Sequence, residues 1–201
     1  MSGLSSPAFE RNRDPILAVL RGLWGSGPRR VLELGSGPGQ HVCYFAEALP
    51  EVEWQPTERE AALVDSIDAW RGTFHVGNVR PAVLLDVEAP SWGVPTGFDG
   101  VLAINVVHMV AEHTVRCILG GAAAHLRLGG HLVVYDCFTW EGAHVSESNA
   151  RFDEYLRSTG RGGVYSFEAM SAWAEGVGLV EPEVHRLPAN NQCVVWSRGG
   201  G

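Results

Sequence analysis

No apolar run in the chain approaches the roughly 18 residues that a membrane span requires, and its polar opening, MSGLSSPAFERNRDP, lacks the apolar core of a secretory signal. A soluble, cytoplasmic protein with no membrane partner is the expectation. The four cysteines, Cys43, Cys117, Cys137 and Cys193, form no C-x-x-C pair and no zinc-like cluster, which leaves reduced thiols rather than a disulfide framework or a zinc module. Basic residues are also few: 15 Lys and Arg stand against 23 Asp and Glu, a formal net charge of −8. Nucleic acid and anionic membranes reward a basic face, so neither is expected as a partner. No internal repeat is present. Two nucleotide-binding fingerprints are missing as well. A dinucleotide loop G-x-G-x-x-G would place its third glycine at position 40, where Gln40 stands, and no G-K-[ST] follows to make a phosphate-binding Walker loop.

What is present is an ordinary globular composition, 45% hydrophobic and 19% charged, over 201 residues. That length suits one domain, here 1–201. Asp14-Pro15 before ILAVLRGLW has the form of an N-cap and first-turn proline opening a helix. RRVLELG then reads as a buried strand, SGPGQ as a glycine turn and HVCYFAEAL as a helix. The alternation continues with strands at VEWQPTE, PAVLLDV, FDGVLAINVVHM and HLVVYDCF, separated by helices, as in a parallel sheet covered on both faces. Near the C-terminus LVEPEVHRL and CVVWSR are joined only by PANNQ, which permits an antiparallel hairpin but no crossover helix. Residues 1–13 and 139–166 lie outside this scaffold and are expected as a lid and a substrate-side insertion.

The turn from Glu33 to Gly39, with Gly35, Ser36, Gly37 and Gly39 after a strand and Gln40 opening a helix, resembles motif I of the class I S-adenosylmethionine-dependent methyltransferases. Glycine there lets the backbone approach a ligand closely, and the helix amino end favours electron-rich groups. The resemblance implies a mostly parallel seven-stranded Rossmann-like sheet with an antiparallel C-terminal hairpin strand and helices on both faces. It implies S-adenosylmethionine as cofactor and S-adenosylhomocysteine as product. Glu58, about 25 positions after Glu33, stands where a family carboxylate accepts from both ribose hydroxyls, with Arg59 beside it. Asp86 and Val87 match the adenine-binding positions, and Asn105 falls where the methyl donor would face the acceptor.

A narrower resemblance is carried by SPAFERNRDPIL, SGPGQHVCYFAEALPEVEWQPTE, NVRPAVLLDV, VVHM, SNARFDEYLR and LPANN, which together look like the DUF938 family, that of methyltransferase-like protein 26. Three departures stand out from its pattern. Gly35 and Pro38 replace alanine and threonine, MVAEH follows His108 in place of a segment like ISPW, and YDCF replaces YGPF. The last two lie on the substrate side, grounds for expecting a specialised member.

Methyl transfer from a sulfonium is an in-line displacement that alignment alone accelerates strongly, so a missing catalytic triad does not count against an enzyme. A base is needed only when the nucleophile arrives protonated. His108 is the first candidate, just beyond the fourth strand at the carboxyl edge of the sheet, where open α/β folds bind ligands. Tyr135 and Asp136 end the next strand on that edge. Arg11, Arg13, Asn149 and Asn190 are candidate acceptor-binding residues, the arginines for a carboxylate on substrate or cofactor. His108 and His113 are five apart, a spacing that does not align metal ligands on one helical face, so no metal is expected. The expectation is a small-molecule methyltransferase, monomeric or homodimeric. A non-methylating enzyme that uses the same cofactor and a non-catalytic binding module stay open.

Overall fold

The structure, a computed structural model, describes residues 8–200. Its frame is a seven-stranded sheet of order β3-β2-β1-β4-β5-β10-β9. The strands are β1 (Arg29–Leu34), β2 (Val52–Glu58), β3 (Val83–Leu84), β4 (Phe98–Ile104), β5 (Leu126–Asp136), β9 (Leu179–Arg186) and β10 (Gln192–Arg198). The first five run parallel, and β10 pairs antiparallel with both β5 and β9. This is the Rossmann-like, mostly parallel seven-stranded sheet that the resemblance implied, with the C-terminal hairpin supplying the antiparallel strand.

Helices cover both faces because β1, β4 and β5 are apolar on both. On one side Val31, Leu102 and Val133 pack beneath α1 (Phe9–Trp24), α2 (Gln40–Ala48) and α3 (Ala61–Phe74). On the other, Leu32, Val101 and Val134 meet α4 (Glu112–His125) and α6 (Phe167–Glu175). Parallel strands buried on both faces read as continuous rather than alternating apolar runs, which is what VLEL and GVLAI show.

Four local features differ from the sequence reading. Helix α1 starts at Phe9 and runs through Pro15, whereas a start at Asp14-Pro15 was expected. Phe9 and Asn12 extend the buried stripe of Ile16, Leu20 and Trp24, and the Phe9 ring sits edge-on to His41 and Tyr44 at 5.1 and 5.8 Å. That burial outweighs the helical bond forfeited at proline. Asp14 accepts a bond from the Tyr44 hydroxyl instead of capping the helix. The third strand shrinks to two residues. The fourth ends at Ile104, and the VHM that followed it forms a single 3-10 turn, Val107–Met109. The fifth begins five residues early, its pairing jumping from Phe98–Leu126 to Gly100–His131 across a bulge that includes Gly129 at φ 70°.

The segment 139–166 is ordered. It holds helix α5 (Glu147–Ser158) and most of a small sheet of β6 (Phe138–Trp140), β7 (Ala143–His144) and β8 (Tyr165–Ser166). Of the expected lid, residues 1–7 lie outside the described residues, and 9–13 form the opening turns of α1.

Candidate functional site

Two adjoining clefts open at the carboxyl ends of the parallel strands. The first, of about 330 Å³, is lined by Gly35, Glu58, Arg59, Asp86, Val87 and Asn105, so β1, β2, β3 and β4 all contribute at their ends. Leu34, Leu85, Val106 and Ile118 supply an apolar wall. The second, of about 660 Å³, is lined by Arg11, Asn12, His108, Asn149 and Asn191 together with the apolar Cys137 and Phe152. Asn105 and Met109 border both. Asn105 holds φ 56°, a conformation that non-glycine residues seldom take, at the junction of the clefts.

The glycine loop is tied to the second strand by Ser36. Its amide donates to the Thr57 carbonyl at 2.9 Å, and its hydroxyl accepts from the Thr57 amide at 3.3 Å. Gly39 is the N-cap of α2 at φ 99°, with Gln40 as the first helical residue, and a Cβ there would lie 2.7 Å from the Ile67 backbone. Gly37 is different. It has φ 55°, yet a Cβ would meet nothing within 4 Å, so the loop shows an open backbone face. Its amide donates to Glu58 Oε2 at 2.8 Å, while Glu58 Oε1 accepts from the Arg59 amide at 2.7 Å. Each carboxylate oxygen keeps a second lone pair for further donors.

Glu33 is buried beneath this loop with Oε2 unpartnered among the described residues. Burial pushes its carboxyl up to about 7, opposed by the Ser36 hydroxyl and aided by the charge of Glu58. Because the folded value lies above the ordinary one of 4.5, folding takes up a proton between those limits. Stability is therefore fully present below about pH 4.5 and declines as pH rises through 7, a change of about 3 kcal/mol when complete. Glu33→Gln removes the titration. Urea unfolding at pH 5 and pH 8 is expected to show the variant gaining on the native protein at the higher pH; an equal difference at both would remove this assignment.

Asp86 closes the far end, its Oδ1 accepting from the Glu88 amide at 3.0 Å and its Oδ2 facing Arg59 Nε at 3.9 Å. Val87 accepts from Trp92 Nε1 through its carbonyl.

In the second cleft His108 and Asp136 form a pair. Asp136 Oδ1 lies 2.6 Å from His108 Nδ1, and Oδ2 accepts from the His108 amide at 3.3 Å. Burial alone would lower the imidazole, but the carboxylate's charge and hydrogen bond outweigh it, so His108 is raised above its ordinary value. Cys137 Sγ lies 3.7 Å from the same carboxylate oxygen. The three side chains have the donor types of a metal site. However, two ligands of a tetrahedral zinc at about 2.0–2.1 Å would stay about 3.3 Å apart, wider than this hydrogen-bonded pair.

The remaining candidates separate. Tyr135 is buried, and its hydroxyl accepts from Asn191 Nδ2 at 2.9 Å, outside the cleft lining. Arg13 pairs with Glu10 at 3.0 Å and lies over the Phe9 and Tyr44 rings, not on the cleft wall. Asn190 braces the wall, donating to Ser146 Oγ while its carbonyl accepts from Asn149 Nδ2. Sequence reasoning did not assign Met109, Phe152 or Cys137 to the site. Only the fold of 139–166 brings Phe152 to His108, with ring centroids 5.1 Å apart.

Several known proteins are similar. A ribosomal RNA small subunit methyltransferase C from Yersinia enterocolitica is 26% identical over 144 residues, 65% of this chain and 40% of that protein. An O-methyltransferase family protein from Burkholderia thailandensis superposes with a TM-score of 0.82 at 16% identity, over 96% of this chain and 58% of that one. Human N-acetylserotonin methyltransferase, in complex with S-adenosylmethionine, gives 0.78 at 13% identity over 96% and 53%. The chain thus spans about half the length of these relatives. The family model described as a protein of unknown function, DUF938, matches residues 4–198, and the chain belongs to that family, the one its sequence resembles.

Proposed function

We propose that the chain is an S-adenosylmethionine-dependent methyltransferase that acts on the hydroxyl of a small molecule. The observation that carries this reading is the meeting of the two clefts at Asn105 and Met109, with the carboxylates Glu58 and Asp86 on one side and the His108–Asp136 pair on the other. The fit to the cofactor rests on three features. Gly37 leaves an open backbone face, Glu58 has lone pairs for the ribose hydroxyls, and Asp86 stands where an adenine amino group would donate. When bound, S-adenosylmethionine supplies an electrophilic methyl group on a sulfonium.

The residues of the chain do the rest. Asp136 fixes the imidazole with its proton on Nδ1, which leaves Nε2 as the acceptor on the cleft side. His108 Nε2 would accept the proton of an acceptor hydroxyl held in this cleft, and Asp136 would stabilise the resulting imidazolium. Met109 and Phe152 add apolar surface to the same cleft.

The Yersinia relative's name points to RNA. Against an RNA acceptor stands the formal charge of −8, since duplex and single-stranded nucleic acids draw affinity from basic surface. Incubation with methyl-labelled cofactor and separate small-molecule and RNA fractions decides between them. Label is expected in a small-molecule acceptor. Label in RNA would overturn the acceptor class, and cofactor turnover without label transfer would overturn methyl transfer itself.

A further inference from the structure

The two clefts differ in the charged groups on their walls. The first carries Glu58, Glu60 and Asp86 against the single cation Arg59. The second has no carboxylate on its wall, although acidic residues outnumber basic ones in the chain, and its basic groups are Arg11 and His108. The Asp136 carboxylate beneath it is engaged by the His108 ring and amide and by the Cys137 amide.

Arg11 lies in the first turn of α1, and among the described residues its guanidinium has no ion pair or hydrogen bond. Its neighbour Arg13 is paired with Glu10, so the surface of α1 does not simply lack carboxylates. Next to Arg11, Asn12 is 4% exposed and lines the same cleft, yet its carboxamide has no hydrogen-bond partner among the described residues. Its amide atoms keep access to the cleft, so they are free to bond a ligand there. Of the other carboxamides on this wall, Asn149 is held by Ser146 and Asn190, and Asn191 by Tyr135, while Asn105 sits at the junction with the first cleft. The helix itself starts at Ala8 with no side-chain cap, and Ala8 too lines the cleft. An unpaired guanidinium, an unpaired carboxamide open to the cleft and an uncapped helix amino end on one wall form a receptor for a small anion.

Resting on the methyltransferase reading, we infer that the acceptor carries a carboxylate, held by Arg11 and Asn12, while its hydroxyl lies at His108. Between them Met109 and Phe152 offer an apolar slot suited to a flat body. A hydroxylated aromatic acid is the class this describes. A guanidinium on this wall could instead take the cofactor's own carboxylate, which the test separates.

The experiment titrates the three hydroxybenzoate isomers, the matching hydroxybenzamides and phenyl phosphate into full-length protein saturated with S-adenosylhomocysteine. At least one hydroxybenzoate is expected to bind about tenfold or more tightly than its amide, the size of one charge-assisted contact. In Arg11→Ala that preference is lost while affinity for S-adenosylhomocysteine stays as it was, and Asn12→Ala weakens the acid in the same direction. The inference is overturned if amides bind as well as acids, if phenyl phosphate alone binds, or if no acid saturates. It is equally overturned if Arg11→Ala weakens S-adenosylhomocysteine, which would assign the arginine to the cofactor. Failure of the native protein to bind S-adenosylhomocysteine would instead overturn the methyltransferase reading, an outcome seen before any acid is added.

Discussion

Glu58→Ala is expected to weaken S-adenosylhomocysteine binding by at least about a hundredfold, because two charge-assisted bonds are lost, each of about 1.5–3 kcal/mol. One is structural. Glu58 Oε2 holds the Gly37 amide, so without it the glycine loop loses its tie to β2. The other is the proposed contact to the ribose hydroxyls. Gly37→Val reaches a similar loss by another route. At φ 55° a β-branched residue is strained, and its side chain would project into the open space beside the loop. Calorimetry on both variants, with circular dichroism to confirm folding, makes the comparison. Unchanged affinity in both would remove the cofactor assignment.

His108→Ala is expected to lower kcat by about 10²–10⁴, the usual contribution of a positioned general base. Its affinity for S-adenosylhomocysteine should stay within about twofold of native, because the ring faces the second cleft. The pH profile separates proton transfer from mere packing. His108 must be neutral to accept a proton, and Asp136 raises it above 6.5, so the native rate should fall as pH drops through a value above the ordinary histidine one. The variant should lose that limb. A variant that keeps both rate and limb would show that the imidazole only supports the wall.

The sheet was legible in the sequence because its signals are local. VLEL and GVLAI announce buried parallel strands, and the five residues between the last two strands permit only a hairpin. The start of α1 was not, because Asp14-Pro15 carries a strong capping signal that only the tertiary burial of Phe9 overrides. The short β3 was overread for a similar reason: PAVLLDV is apolar enough for a longer strand, but only Val83 and Leu84 pair with β2.

The first cleft was also legible, since most of its polar groups stand at or just beyond strand ends and the glycine loop fixes the register. Gly35, Glu58, Arg59, Asp86, Val87 and Asn105 all line it. The second cleft was only partly so. His108, Arg11 and Asn149 reach it, but Phe152 and Met109 come from helical and 3-10 geometry that no spacing in the sequence marks. The pairing of His108 with Asp136 joins residues 28 apart and depends on neighbouring strand ends.

The most direct test is isothermal titration of the purified protein with S-adenosylhomocysteine, with NAD titrated in parallel. Micromolar binding of S-adenosylhomocysteine alone is the expected result. Binding of NAD, or of neither ligand, would contradict the assignment of the glycine loop to this cofactor.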